Sequence, residues 1–192
     1  MSLSLLVFYG SYRENRAGIR LADYAVGQLS ARGHAVELID AKAVGLPMLD
    51  KRYMDYPAGE APEAMETLAG KIRAADGFLF VAGEYNWGMQ PGLKNLTDHY
   101  LDEWAGRPAG LLSYSAGRLA GARSNSAWHA TLTEMGMVVI PSTIAVGGIT
   151  QSLDEHGQPI GDGGAALERG FPGFASALTW WAEAAKARRE RD

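Results

Sequence analysis

The chain has 192 residues, of which 47% are hydrophobic and 21% are charged, and its formal net charge at pH 7 is -4. This length suits one domain with a sizeable core, so we expect residues 1–192 to form a single domain. The mild negative charge argues against nucleic acid as a partner, and the absence of cysteine excludes disulfides, thiolate metal sites and cysteine nucleophiles.

The apolar pattern alternates between strand and helix from end to end. Leu3 to Tyr9 is a continuous apolar run, which is typical of a strand buried on both faces. This run is too short to span a bilayer and lacks a basic leader, so we expect a cytoplasmic protein with no membrane insertion. Further strands are predicted at 34–39, 78–82, 109–113 and 138–146, the last of them bent at Pro141.

Helices are predicted between these strands at 16–31, from Pro62 onwards, at 92–100 and at 121–135. A last helix is predicted at 165–186, with Pro172 and Gly173 able to delay its start. Five strands with intervening helices predict an α/β fold, a three-layer, doubly wound, five-stranded parallel sheet with the strand order 2-1-3-4-5.

Two longer segments do not fit this alternation. Residues 41–61 contain Leu46-Pro47 and the stretch from Tyr53 to Tyr56, and they form a candidate substrate lid. Residues 150–164 are predicted to form a hairpin that turns at His156-Gly157.

The loop from Gly10 to Arg16 joins the first strand to the first helix. A turn there directs backbone N–H groups and the positive end of the helix dipole at one point, which suits a phosphate group. Ser11 adds a hydroxyl donor, and Arg13 and Arg16 add guanidinium groups. The alternative is an ordinary strand-to-helix turn with surface arginines. The sequence has no P-loop motif and no Gly-x-Gly-x-x-Gly in this turn, which argues against nucleoside triphosphatases and dinucleotide-binding folds.

A second loop, from Gly83 to Asn95, follows the third strand. Asn86 can both donate and accept hydrogen bonds, and Tyr85 and Trp87 offer aromatic walls for a flat heterocycle. The alternative is that these aromatic residues only cap the core. A third loop, Ser113 to Gly117, has a similar small and polar character. Because the three loops follow strands that end at one edge of the sheet, they predict one crevice for a phosphorylated aromatic cofactor.

No residue pattern predicts acid–base catalysis or a metal site. The four histidines show no paired spacing with carboxylates, and no Ser-His-Asp order is recognisable. We therefore predict no catalytic side chain and no metal ligand.

With these loops, the chain resembles the NADPH-dependent FMN reductase family of flavodoxin-like proteins, which includes quinone, azo and chromate reductase-like members. The matching segments are Gly10-Ser11-x-Arg13, Glu84-Tyr85-Asn86, Pro91 to Asn95 with Asp98, and Ser113 to Ser115. Family members often have serine where this chain has Arg16, although arginine also occurs there, and commonly proline where it has Gly83. The family's usual glycine pair after strand four is spread out here as Gly117 and Gly121.

The resemblance implies a flavodoxin-like sheet that binds FMN. Ser11, Arg13 and Arg16 would face the phosphate, Glu84 to Trp87 would line the edge of the isoalloxazine, and the third loop would approach the ring. The expected cofactor-binding residues are Gly10, Ser11, Arg13, Arg16, Gly18, Ile19, Glu84, Tyr85, Asn86, Trp87, Tyr114, Ser115 and Gly117.

The resemblance also implies an oxidoreductase that works by a ping-pong mechanism. NADPH or NADH would pass hydride through FMN to a small-molecule electron acceptor, such as a quinone, an azo compound, an oxidised metal anion or free flavin. The protein would form a homodimer or homotetramer. Independently of the resemblance, we expect the choice of acceptor to depend on the pocket formed by Tyr53 to Tyr56, Trp87 and a partner subunit. The alternatives are a flavodoxin-type electron carrier and a non-catalytic flavin sensor; the arginines of the first loop and the small net charge favour the enzyme over the carrier.

Overall fold

The computed structural model describes residues 1–191, which form a mostly parallel sheet with helices on both faces. The strands are β1 (Ser4–Tyr9), β2 (Ala35–Asp40), β3 (Gly77–Tyr85), β4 (Gly88–Met89), β5 (Pro108–Tyr114) and β6 (Val138–Val146). The helices are α1 (Ile19–Ser30), α2 (Ala41–Val44), α3 (Glu63–Ala74), α4 (Pro91–Asp98), α5 (Ala122–Glu134), α6 (Ile149–Ser152) and α7 (Gly161–Arg189), with single 3-10 turns at Tyr53–Asp55 and Asp102–Trp104.

The sheet has the strand order β2-β1-β3-β5-β6, and all of these strands are parallel. The short strand β4 pairs only with β3, in the antiparallel sense. If the short β4 is left out and the five long strands are numbered 1 to 5 along the chain, their order in the sheet is 2-1-3-4-5, as predicted. The prediction of a doubly wound, flavodoxin-like sheet is therefore confirmed.

The core lies on both faces of the sheet because the central strands are apolar at successive positions, and successive side chains point to opposite faces. On one face, Phe8 and Phe80 pack with Trp128 of α5 and with residues of α3 and α4. On the other face, Val7 and Leu79 pack with residues of α1 and α7. The two layers hold the carboxyl ends of β1, β3 and β5 at one edge.

Three details of the last third of the chain differ from the sequence prediction or refine it. The predicted bend at Pro141 is confirmed as a register irregularity between β5 and β6. α7 begins at Gly161 and continues through Pro172, so the predicted delay is wrong. Proline lacks the N–H that would donate a helical hydrogen bond, but the buried Phe171 and Phe174 pack against the core and stabilise the helix around it. The predicted hairpin at 150–164 is reduced to one antiparallel bridge between Leu153 and Pro159, because α6 occupies its first part.

α1 also starts later than predicted, at Ile19, because residues 15–18 form a separate turn. Within residues 1–191, no helix is both long enough and apolar enough to cross a membrane.

Candidate functional site

A cleft of about 280 Å³ opens at the carboxyl ends of β1, β3 and β5. It brings together parts of all three predicted loops, at the place where an open parallel sheet binds ligands. The predicted residues that line it are Ser11, Arg13, Arg16, Gly18, Glu84, Tyr85, Tyr114 and Ser115. Ile149 and Thr150 of α6 also line the cleft. The sequence pattern does not indicate these two residues, because α6 is a single turn of helix at the start of the segment predicted to form a hairpin.

The loop between β1 and α1 offers groups that suit an anion. Within residues 1–191, no protein acceptor binds the backbone N–H groups from Tyr12 to Arg16. The guanidinium carbon of Arg13 lies 5.9 Å from the centre of the Tyr85 ring. Arg13 has no carboxylate partner within residues 1–191. The hydroxyl of Ser11 is 2.8 Å from that of Tyr85, which joins the first loop to the second.

Arg16 lines the same cleft but is already engaged. Its Nη2 lies 2.6 Å from Oδ2 of Asp40, the last residue of β2, and its Nη1 donates to the backbone oxygen of Ser11 at 3.3 Å. The hydrogen bond to Asp40 raises the pKa of the guanidinium above its ordinary value. Arg16 therefore fixes the first loop against β2, and its positive charge is largely balanced by Asp40.

The second loop is a β-hairpin rather than the irregular loop that the sequence indicated. β3 continues to Tyr85, and β4 returns from Gly88, so Asn86 and Trp87 form a two-residue turn. Both turn residues have positive φ values, 48° and 68°, as in the type I′ turns that favour hairpins. Neither of them lines the cleft. Trp87 is 72% exposed.

Glu84 lies beside the cleft, but its carboxylate is directed at the start of α5. It accepts hydrogen bonds from the backbone N–H groups of Arg123 and Ser124, at 3.0 and 3.4 Å, and from the guanidinium of Arg123 at 3.4 Å. A carboxylate in this position satisfies N–H groups that have no partner within the helix, and it complements the helix dipole. Glu84 thus ties the hairpin to α5.

Two glycines, Gly18 and Gly83, lie close to the buried phenol of Tyr114. A Cβ atom at Gly18 would lie 2.0 Å from Cζ of Tyr114, and one at Gly83 would lie 2.8 Å from the same atom. Gln90 accepts a hydrogen bond from the N–H of Gly83 at 3.0 Å and donates one to the hydroxyl of Tyr114 at 2.8 Å. Burial raises the pKa of the Tyr114 phenol far above its ordinary value. Proline at position 83 would lack the N–H that binds Gln90, and its Cβ would collide with the Gln90 side chain, so this packing requires glycine.

A second, apolar recess of about 290 Å³ adjoins the cleft and shares Arg13 and Tyr85 with it. It is otherwise lined by Gly10, Tyr12, Leu46, Met48, Pro91, Gly92 and Asn95. Asn95 holds the segment after α2 in place: its Nδ2 donates to the oxygen of Pro47 at 2.7 Å, and its Oδ1 accepts from the N–H of Leu49 at 2.8 Å.

The remaining predicted residues are not part of the lining of the cleft. Ile19 packs against the core on the α1 and α7 face. The oxygen of Gly117 accepts hydrogen bonds from Ser115 and Gly148, at 2.8 and 3.2 Å. Tyr53 and Tyr56 line a different cavity with Glu66 and Arg73, so they do not join the cleft or the recess. Within residues 1–191, no three acidic or histidine side chains are grouped in a way that could hold a metal ion.

The parallel sheet, its strand order and the polar crevice at its carboxyl edge define a flavodoxin-like protein of the type that binds phosphorylated cofactors. Residues 3–151 match the family model of the NADPH-dependent FMN reductases. The chain belongs to that family. The predictions of the family, of an oxidoreductase, and of FMN with NAD(P)H as the family's cofactors are thereby confirmed.

Relatives with described functions agree with this assignment, and a solved structure has a similar fold. The chain is 30% identical over 167 residues to an NAD(P)H-dependent FMN reductase of Pseudomonas aeruginosa, covering 83% of this chain and 86% of that protein. It is 28% identical over 162 residues to a quinone reductase of Pseudomonas putida, covering 81% and 83%. The fold is similar to that of FerB, a flavoenzyme NAD(P)H:(acceptor) oxidoreductase of Paracoccus denitrificans, with a TM-score of 0.74 and 21% identity, covering 95% and 98% of the two chains.

Proposed function

We propose that the protein transfers hydride equivalents from NADPH or NADH through bound FMN to a small acceptor, by a ping-pong mechanism. The observation that carries this proposal is the cleft at the carboxyl ends of β1, β3 and β5. It is lined by Arg13, which has no carboxylate partner within residues 1–191, and by part of a loop whose backbone N–H groups have no protein acceptor in the same range. The acceptor class comprises quinones, azo compounds, oxidised metal anions and free flavin. Relatives described as FMN reductases and as quinone reductases support the flavin and quinone members of this class.

The residues of the cleft fit FMN. A phosphate dianion is best held by backbone N–H groups and a guanidinium, and the loop from Tyr12 to Arg16 supplies both. Ser11, Arg13 and Arg16 would hold the phosphate. Glu84, Tyr85, Tyr114 and Ser115, which line the cleft, would approach the ring, and Gly10, Gly18 and Ile19 would shape the first loop.

Bound FMN supplies the redox chemistry, so that with a quinone the overall reaction is NAD(P)H + H⁺ + quinone → NAD(P)⁺ + hydroquinone. The chain's own contribution is to bind and to orient. Tyr114 stays a neutral phenol because burial raises its pKa. Its hydroxyl oxygen accepts a hydrogen bond from the side-chain amide of Gln90. Because the flavin supplies the redox chemistry, we assign no catalytic acid or base.

The wider setting of this activity follows the family resemblance. We propose that residues 1–192 act as one FMN-binding unit, and that two or four copies associate in the cytoplasm. We propose that residues 41–61 form a substrate lid. Its segment from Leu46 to Leu49 lies against the recess and would be the fixed part of this lid, because Asn95 anchors it.

An anaerobic titration tests the proposal. FMN-reconstituted protein is mixed with NADPH and, separately, with NADH, and the visible flavin absorbance is followed. We expect rapid bleaching that is reversed by menadione. Bound FMN that stays oxidised with both donors would contradict the reductase and favour the carrier or the sensor. Failure to bind FMN would contradict the assignment of the cleft.

A further inference from the structure

Trp87 has an unusual backbone conformation for a large side chain. It occupies the second position of the hairpin turn with φ 68°, a left-handed conformation that glycine adopts readily and bulky residues rarely adopt. Two-residue turns of this type favour Asn-Gly, whereas this chain has Asn86-Trp87. The turn itself therefore gives no reason for a tryptophan at this position, and a strained residue of this kind often marks a functional site.

The indole of Trp87 is in contact with a charged side chain of α5. The guanidinium carbon of Arg123 lies 4.0 Å from the centre of the ring, which is a close cation–π contact. Arg123 is itself bound to the carboxylate of Glu84, so the contact is anchored to β3 and α5. Because the side chain is nevertheless 72% exposed, its other face is open to solvent.

Trp87 is linked to the proposed reaction site through Arg123 and Glu84. Trp87 is two residues beyond Tyr85, which lines both the cleft and the apolar recess. Glu84, which anchors Arg123, also lines the cleft. The hairpin thus presents a fixed aromatic ring beside the space assigned to the cofactor, although the ring is not part of its wall.

We propose that Trp87 is a stacking platform for planar aromatic electron acceptors, and that it determines the preference of the protein for such acceptors over non-planar ones. This inference rests on the proposed function. Conjugated rings such as those of quinones stack well on an indole, and a ring already fixed by Arg123 loses little conformational freedom when an acceptor binds. A compact inorganic acceptor such as ferricyanide offers no flat apolar face and gains nothing from the platform.

The experiment compares Trp87→Gly and Trp87→Phe with the wild-type protein. Trp180→Phe serves as the control, because Trp180 is also exposed, at 62%, but lies on α7. Kinetic constants are measured for menadione and for ferricyanide with the FMN-loaded protein. Binding of menadione to the purified protein without NAD(P)H is measured by equilibrium dialysis, and the midpoint of thermal unfolding is recorded for each variant.

We expect Trp87→Gly to raise the KM for menadione and its dissociation constant by about tenfold, the size of one aromatic stacking contact. Ferricyanide turnover should change by less than about twofold, and Trp87→Phe should retain most of the menadione affinity, since phenylalanine keeps an aromatic face. Trp87→Gly should also unfold at the same or a higher temperature, because glycine relieves the left-handed backbone.

Unchanged menadione binding in Trp87→Gly would overturn the proposal, as would equal losses with both acceptors. A large fall in the unfolding midpoint would assign Trp87 a structural role instead. If the wild-type protein binds menadione through Trp87 but never oxidises NAD(P)H, the reductase function fails and the platform stands. If it turns over while the Trp87 variants bind menadione normally, only the platform fails.

Discussion

The side-chain amide of Gln90 donates a 2.8 Å hydrogen bond to the hydroxyl of Tyr114, and both residues are buried. The oxygen of the same amide accepts from the N–H of Gly83 at 3.0 Å, so one side chain joins β3 to β5 beneath the cleft. We predict that Gln90→Leu lowers the free energy of unfolding by about 2–4 kcal/mol, because it leaves two buried polar groups without partners.

Urea unfolding checks this prediction. Gln28→Leu is the matched control, since that side chain contacts Arg32 at an exposed position and should change stability by less than about 0.5 kcal/mol. Combining Gln90→Leu with Tyr114→Phe should cost less than the sum of the two single changes. An unchanged stability of Gln90→Leu would show that water replaces both bonds.

Gly18 and Gly27 form a second pair of test and control positions. Gly18 precedes the first residue of α1, and Gly27 lies inside the helix. At Gly18 a Cβ atom would collide with the Tyr114 ring, whereas at the exposed Gly27 it would meet nothing within 4 Å. We predict that Gly18→Ala lowers stability and FMN affinity together, because the buried ring of Tyr114, which also lines the cleft, must shift. Gly27→Ala should raise stability by about 0.5–1 kcal/mol, since alanine favours the helix. Thermal unfolding and FMN fluorescence quenching measure both effects, and equal behaviour of the two variants would contradict the close packing.

Arg13 and Arg16 should differ in their contribution to cofactor binding. Arg13 has no carboxylate partner within residues 1–191, whereas Arg16 is paired with Asp40 at 2.6 Å. We predict that Arg13→Gln weakens FMN binding by about tenfold or more and reduces its salt dependence. Arg16→Gln should weaken binding less but lower the free energy of unfolding by about 1–2 kcal/mol, because it leaves Asp40 unpaired. A larger loss of FMN affinity in Arg16→Gln than in Arg13→Gln would contradict this order.

A substitution at Asp76 should change the stability of the protein without changing its affinity for FMN. Its buried carboxylate accepts hydrogen bonds from the N–H of Ser4, from Lys186 and from Arg189, at 2.9, 3.0 and 3.2 Å, at the edge of the sheet opposite the cleft. We predict that Asp76→Ala lowers the free energy of unfolding by about 2–4 kcal/mol and leaves FMN affinity unchanged. The exposed pair of Glu37 and Lys71 is the control, and Glu37→Gln should cost less than about 1 kcal/mol. A loss of FMN affinity in Asp76→Ala would show that the two edges are coupled.

Local patterns predicted the sheet and the cleft because they depend on short stretches of chain. The continuous apolar run of β1 and the polar residues that follow β1, β3 and β5 are visible without any knowledge of tertiary contacts. The hairpin after β3 was not predictable in this way. Its turn residues are Asn86 and Trp87, and the usual signal for such a turn is a glycine at the second position.

Long-range pairings account for the other differences. The partner of Arg16 is Asp40, which lies 24 residues further along the chain, and only the parallel pairing of β1 with β2 brings them together. Glu84 caps α5 across 39 residues. Pro172 similarly has a strong local preference against a helix interior, but the burial of Phe171 and Phe174 outweighs it.

The two outer strands of the sheet also differ in how they discourage the addition of a foreign strand. Within residues 1–191, β6 pairs only with β5, and Pro141 together with the nearby register irregularity interrupts the row of N–H groups on this strand. β2 pairs only with β1 and carries charge instead, with Glu37 bound to Lys71 and Asp40 bound to Arg16. A misfolded or neighbouring copy therefore meets a broken hydrogen-bonding ladder on one side and a charged border on the other, which protects the fold against edge-to-edge aggregation.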